Sequence, residues 1–228
     1  MTHDLLEKKS LLMAVVSTIV ILIGGIVEIV PLYAVKAQVP AIAGVKPYTP
    51  LEVEGRDIYL REGCYTCHSQ MVRPFRDEAE RYGPYSKAGE FVYDHPFQWG
   101  SKRTGPDLHR VGGKYPNSWH YIHMRNPRDV SPDSIMPNYP WLLSRGLDTS
   151  TTQRKLRALR TVGVPYTDEE IAAADQSLRK QADEIVASLK SAQIADAEAD
   201  REIIALIAYL QRLGMDINWR NSDATAQR

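Results

Sequence analysis

The chain has 228 residues, with 28 basic and 28 acidic side chains and a formal net charge of zero. That length holds one ordinary domain plus accessories, and the even charge predicts no nucleic-acid partner. The balance conceals an asymmetry: residues 101–160 carry eleven basic and four acidic side chains, and residues 161–205 carry four and ten. Two solvated helical faces or a docking surface would both produce it.

After a polar stretch at residues 1–10, residues 11–33 (LLMAVVSTIVILIGGIVEIVPLY) contain a single charge, Glu28. At ~1.5 Å per residue they make a helix about 35 Å long, enough to cross a ~30 Å hydrocarbon core with some tilt. The alternative is a cleaved signal peptide, with Val35-Lys36-Ala37 as the cleavage site. The apolar run exceeds the usual h-region of about 7–15 residues, however, and a retained transmembrane anchor is expected. Glu28 either meets a partner on a neighbouring helix or reaches headgroups and water. Gly24-Gly25 would let another helix approach closely, and Pro31 reads as the helix exit. Residues 34–50, with Pro40, Pro47 and Pro50, read as a semi-extended connector to a domain spanning residues 51–228.

Residues 51–63 predict a short amphipathic helix with Val53, Ile58 and Tyr59 among charges. Gly55 and Tyr59 lie one turn apart on the same face, where the glycine admits a second helix and the ring fills the crossing. The helix runs into Cys64-Tyr65-Thr66-Cys67-His68. Two cysteines at this spacing reach the vinyl groups of one porphyrin, and the histidine after them is delivered to the iron; this is the c-type haem attachment signature. A thioredoxin-like redox pair needs no histidine there. A zinc site needs further ligands, and the chain has no other cysteine. One covalently bound haem c on Cys64 and Cys67, with His68 as an iron ligand, is therefore expected. In bacteria that attachment takes place on the outer side of the inner membrane. It places the domain in the periplasm and the N-terminus in the cytoplasm, an orientation that Lys8 and Lys9 against Lys36 and Lys46 fix only weakly.

The 36 residues from 69 to 104 are rich in aromatics and glycines, including Phe75, Tyr82, Tyr85, Phe91, Tyr93, Phe97 and Trp99. A loop this long inside a compact domain is disordered or functional, and its aromatic content argues for a surface that a partner buries. Residues 119–124 predict a helix. The segment Ile135-Met136-Pro137-Asn138-Tyr139-Pro140 is a proline-rich loop bounded by aromatics. Accessory helices are expected within residues 151–190. Leu156, Leu159 and Val162 predict a basic one ended by Gly163. The second opens on a capping box, Thr167 to Glu170, and lines Ile171, Ala174, Leu178, Ala182, Ile185 and Leu189 along one face. Residues 200–214 give a terminal helix with Ile203, Ile207 and Leu210 in a stripe and Gly214 as its cap.

A helix before the haem signature and another closing the domain resemble the class I cytochrome c fold, in which the two cross beside the haem. Thr104-Gly105-Pro106-Asp107-Leu108 is similar to the segment of that fold whose proline carbonyl accepts the proximal histidine's Nδ1 proton. The resemblance makes Pro106 the partner that orients His68; read alone, the segment is also a simple Gly-Pro turn. For the sixth iron ligand, Met71 is tied to the proximal side, Met215 follows the terminal helix and Met124 sits in a helix. The Met136 loop resembles the Met-Pro loop of these cytochromes, so Met136 is the expected ligand. Bis-histidine ligation through His109, His120 or His123 is the rival. Met/His ligation raises the potential and leaves no site for oxygen, which suits electron transfer.

The run from Cys64 through Leu108, with Ser131 to Trp141 and Leu159 to Glu170, resembles the mono-haem cytochrome c subunit (subunit II) of cbb3-type cytochrome c oxidases. The resemblance implies a mainly α chain: one N-terminal transmembrane helix, then a class I cytochrome c-like domain with a long insert and extra helices. It implies a haem-copper catalytic subunit and a di-haem cytochrome c subunit as partners, with electrons passing from the latter to a low-spin b haem. It also implies a calcium ion near the b-haem propionates, with Ser101 as the contact in this chain. Two other classes stand beside this reading. A membrane-anchored cytochrome c of another respiratory enzyme, such as nitric oxide reductase, would not need the insert or the extra helices. A haem sensor or peroxidase would need an open axial position.

Overall fold

A computed structural model describes residues 3–34, 42–100 and 102–217. The chain divides into two units, Met1–Ala41 and Ile42–Arg228. In the first, a single turn at Asp4–Glu7 precedes helix α1, Ser10–Ala34. The stretch Ser10–Pro31 has a mean hydropathy of 2.6, and among the described residues α1 is the one helix long and apolar enough to cross a membrane. Leu11, Ile21 and Val27 project outward, a surface suited to lipid tails. Pro31 does not end the helix as expected; the chain stays helical to Ala34. A proline deletes the one bond its own N–H would give, and so near the end little helix remains for it to bend.

The second unit is built on two helices from opposite ends of the domain. Helix α2, Pro50–Arg61, begins at a capping box. The Thr49 hydroxyl accepts from the Glu52 N–H (3.3 Å), and Glu52 accepts from the Thr49 N–H (2.8 Å). Pro50 takes the first helical position, where no N–H is needed. The terminal helix is buried on all sides from Glu202 to Leu210, so it forms the centre of the core rather than one wall of it. The two meet at Gly55, where a Cβ would lie 1.9 Å from the Ala205 carbonyl oxygen; only glycine permits this approach. The Tyr59 and Tyr209 rings close the crossing with centroids 5.4 Å apart. Arg61 binds both carboxylate oxygens of Glu202 (2.9 and 2.5 Å) at one end, and Arg212 lies 3.4 Å from Glu52 at the other.

Between these helices come α3 (Arg76–Tyr82), α4 (Asn117–Arg125), α5 (Thr152–Thr161), α6 (Asp168–Ala172) and α7 (Ala174–Ser191), with the terminal helix, Glu202–Arg212, as α8. No strand is present among the described residues. The expected class, mainly helical with one N-terminal apolar helix, holds. Helix α5 docks on α2 through Glu54, which accepts from the Thr152 hydroxyl and the Lys155 ammonium, both at 2.6 Å. Leu156 then joins Val53, Val164, Tyr166, Ile171 and Ala174 in a small second core. Val162, expected on that face, is exposed beyond the end of α5, where Gly163 turns the chain at φ +104°. The Thr167–Glu170 capping box is present, but the expected single helix breaks at Ala173 into α6 and α7. Its apolar face survives the break. Part of the charge asymmetry is neutralised within the chain, since Lys155 also meets Asp57 (2.7 Å) and Arg160 meets Asp168 (2.6 Å).

The insert is more ordered by this chain itself than its aromatic content suggested. It contains α3 and a 3-10 turn, Ala88–Phe91. Phe97 stacks on Trp99 at 4.7 Å, and Phe91 packs edge-on to Trp99 and face-on to His109. Arg56 of α2 pairs with buried Asp94 at 2.6 Å, anchoring the insert from beneath. Only Phe75 and Tyr85 of its rings are strongly exposed.

Candidate functional site

Helix α2 ends where Gly63 adopts φ +71°, and the chain passes directly into the 3-10 turn Cys64–Thr66. The Cys67 and His68 N–H groups both bond back to the Cys64 carbonyl (3.2 and 2.9 Å), so two thiols and an imidazole share one turn. Burial, and then the charge of Glu62, push the Cys64 thiol up to about 12. A redox-active thiol is marked instead by a lowered value. Among the described residues no group of three or more metal-ligating side chains gathers, at this turn or elsewhere.

His68 is held on one edge. Its Nδ1–H donates to the Pro106 carbonyl at 2.8 Å, which commits the tautomer and leaves Nε2 with a free lone pair. Burial lowers the His68 value, outweighing the opposing effects of Pro106 and Asp107, and so favours the neutral, ligating form. Gly105 underlies the ring: a Cβ there would stand 2.3 Å from Cε1. The Gly105 N–H bonds the Cys67 carbonyl (2.9 Å) and the Leu108 N–H bonds the Ser69 carbonyl (2.8 Å), so residues 105–108 run alongside 67–69.

Met136 is half-buried against the main core, as is Cys64. Its loop is tied down at several points. The Tyr139 N–H bonds the Met124 carbonyl at 2.8 Å, Arg128 holds Asn138 at 3.1 Å, and Trp141 Nε1 donates to Glu62 at 3.0 Å. The last bond brings the loop to the start of the cysteine turn. The charges of Cys64 and Cys67 join burial in raising the Tyr139 value. Of the other methionines, Met71 gives its N–H to Asp107, Met124 is core and Met215 is exposed.

The three histidine rivals separate. His109 is engaged at both nitrogens, by Ser86 (2.5 Å) and by Glu90 (3.4 Å), and is stacked on Phe91. His120 Nε2 and His123 Nδ1 are buried without a hydrogen-bond partner among the described residues. Burial, with repulsion from His68 in second place, lowers His123 to about 4, so it lies within electrostatic reach of the proximal imidazole. The orphaned nitrogen of His123, within electrostatic reach of His68, fits a haem held at this turn, whose propionates would supply a missing partner. Ser101, the calcium candidate, lies outside the described residues.

A helical domain with a paired-cysteine and histidine turn following one of its two crossing helices, joined to an apolar N-terminal helix, matches the class of membrane-anchored cytochromes c. The family model for cytochrome c oxidase mono-heme subunit/FixO matches residues 3–217, and the chain belongs to that family. A search of curated proteins finds no match. The family is a haem-binding cytochrome c subunit of cytochrome c oxidase, in accord with the resemblance seen in the sequence.

Two features were not anticipated. The box at Thr49 and Glu52 was visible as Thr-Pro-x-Glu before an apolar run. The buried carboxylate at Asp107 carried no sequence signal, because its partners Met71 and Ser69 are 36 and 38 residues away.

Proposed function

We propose that this chain is the electron-relay subunit of a proton-pumping cbb3-type oxidase. Cys64 and Cys67 would hold one haem c covalently, and His68 and Met136 would ligate its iron. When bound, the haem supplies a one-electron carrier closed to oxygen. The protein's part is positional. Pro106 orients His68, Gly105 leaves room for its ring, and the tethered 135–140 loop presents the Met136 thioether. Electrons arrive from a di-haem cytochrome c subunit or another periplasmic donor and leave for the low-spin b haem of the catalytic subunit. Helix α1 anchors the chain in the bacterial inner membrane, with its N-terminus cytoplasmic and its haem domain periplasmic. A calcium ion shared with the catalytic subunit, contacted at Ser101, belongs to the same reading.

The observation that carries this is the His68–Pro106 bond at 2.8 Å within one turn of both cysteines. The test is to purify the chain in mild detergent, denature it, and ask whether haem stays on the polypeptide and which haem-bearing subunits copurify. Thioether-linked haem together with a haem-copper subunit is expected. Loss of pigment on denaturation refutes the attachment, and isolation without a haem-copper neighbour refutes the relay.

A further inference from the structure

The carbonyl that meets His68 belongs to the peptide plane between Pro106 and Asp107, so whatever fixes Asp107 aims that acceptor. Asp107 is fixed on every side. Its side chain is fully buried. One carboxylate oxygen accepts from the Ser69 hydroxyl (2.6 Å) and the Met71 N–H (2.8 Å), and the other accepts from the His109 N–H (2.9 Å). Ser69, the residue after His68, also accepts from Arg103 Nε at 2.7 Å. Arg103 continues the chain of bonds to the Met71 carbonyl (2.7 Å) and to Glu78 of α3 (2.7 and 2.6 Å). Glu78 in turn accepts from the Arg73 N–H at 2.8 Å.

The result is a bracket. One arm is residues 67–71, the other 105–109, and the His68–Pro106 bond lies midway between them. Backbone bonds clamp the arms at Cys67–Gly105 and Ser69–Leu108, and side-chain bonds lock them at Ser69–Asp107 and Met71–Asp107. The arms are separated in sequence by the insert, and the insert's own Arg103 and Glu78 brace them from outside.

We propose that Ser69 and Asp107 are positioning residues for His68, and that Arg103 and Glu78 extend their hold into the insert. This rests on His68 being the iron ligand. By keeping the 106–107 peptide plane aimed at Nδ1, the bracket sustains a strong hydrogen bond that makes the imidazole a better donor. A better donor favours oxidised iron and lowers the potential. Ser69→Ala is the decisive variant, because it removes two bonds without changing charge.

The experiment uses the full chain in detergent, isolated with its haem. It measures solvent exchange of the iron-shifted His68 Nδ1 proton by NMR, and the midpoint potential by redox titration. In Ser69→Ala, exchange is expected to be about tenfold faster and the potential to rise, with haem content unchanged. Asp107→Asn should do the same, since an amide offers one acceptor oxygen where the carboxylate uses two; its potential should rise further through the lost negative charge. Folded variants with lowered thermal midpoints but wild-type exchange and potential would assign the bracket to stability alone and overturn the proposal. If His68→Ala left the haem spectrum and potential unaltered, the ligation reading would fall and carry the proposal with it.

Discussion

Gly55→Ala tests the crossing on which the domain is built. The added Cβ would stand 1.9 Å from the Ala205 carbonyl oxygen, 2.6 Å from its carbon and 2.9 Å from Tyr209 Cβ. A carbon needs roughly 3.3 Å from a carbonyl oxygen, so α2 and α8 must separate locally by about 1.4 Å. The obstacle is backbone inside a fully buried helix, and no side-chain rotation relieves it. A gap of about 0.5–1 Å already forfeits a quarter to a half of the contact attraction across it. Overpacking of a yielding site costs about 1–3 kcal/mol; here we expect the upper end or beyond, some 3 kcal/mol. Against a typical stability of about 5–15 kcal/mol, that is a large fraction. The measurement is guanidinium unfolding of the full chain in detergent, followed by far-ultraviolet circular dichroism beside Gly146→Ala, whose Cβ meets nothing within 4 Å. The control should lie within about 0.5 kcal/mol of wild type. A Gly55→Ala chain as stable as that control would refute the reasoning.

Gly105→Ala drives a Cβ into the His68 ring, 2.3 Å from Cε1 and 2.7 Å from Nδ1; reduced haem retention or an altered low-spin spectrum is expected, and a wild-type spectrum would count against the packing. Met136→Leu should keep haem attached but lower its potential, and an unchanged titration would move the sixth ligand to His123, the rival with an orphan nitrogen and reach to His68. Hydrogen bonding from Arg103 holds Glu78 down to about 2, below its ordinary 4.5. Its contribution is therefore complete above about pH 4.5 and is lost as pH falls towards 2, and Glu78→Gln should flatten acid unfolding across that window. Joint replacement of Phe75 and Tyr85, the exposed rings of the insert, by alanine should loosen the chain from the oxidase while leaving its own unfolding midpoint unmoved; full copurification would contradict this. Phe97 and Trp99 stack on each other, so altering them reports on the insert's own packing instead.

The sequence spoke plainly wherever a local pattern carries the physics. Apolar spacing marked α2, α7 and α8, the Thr167 box marked the start of α6, and a glycine one turn from a tyrosine marked the crossing at Gly55. It was silent where polar groups meet across long loops. Nothing in the periodicity of residues 69–104 shows that Arg56 reaches Asp94 or that Arg103 spans Ser69, Met71 and Glu78. Those pairings exist only once the chain has folded back, and they turned an expected partner-facing surface into a largely self-packed one. Pro31 misled for a related reason: a proline's cost depends on how much helix follows it, which composition does not tell.

The meeting of Gly55 with Ala205 has a bearing on biosynthesis. The two residues are 150 positions apart, so α2 has no lid until α8 too has left the ribosome. At about 5–20 residues per second, the pentapeptide beginning at Cys64 waits roughly 8–30 s after its own emergence before α8 can close over its neighbour. Until then the turn that follows α2 lacks the helix that covers its neighbour, and translation speed sets the length of that interval.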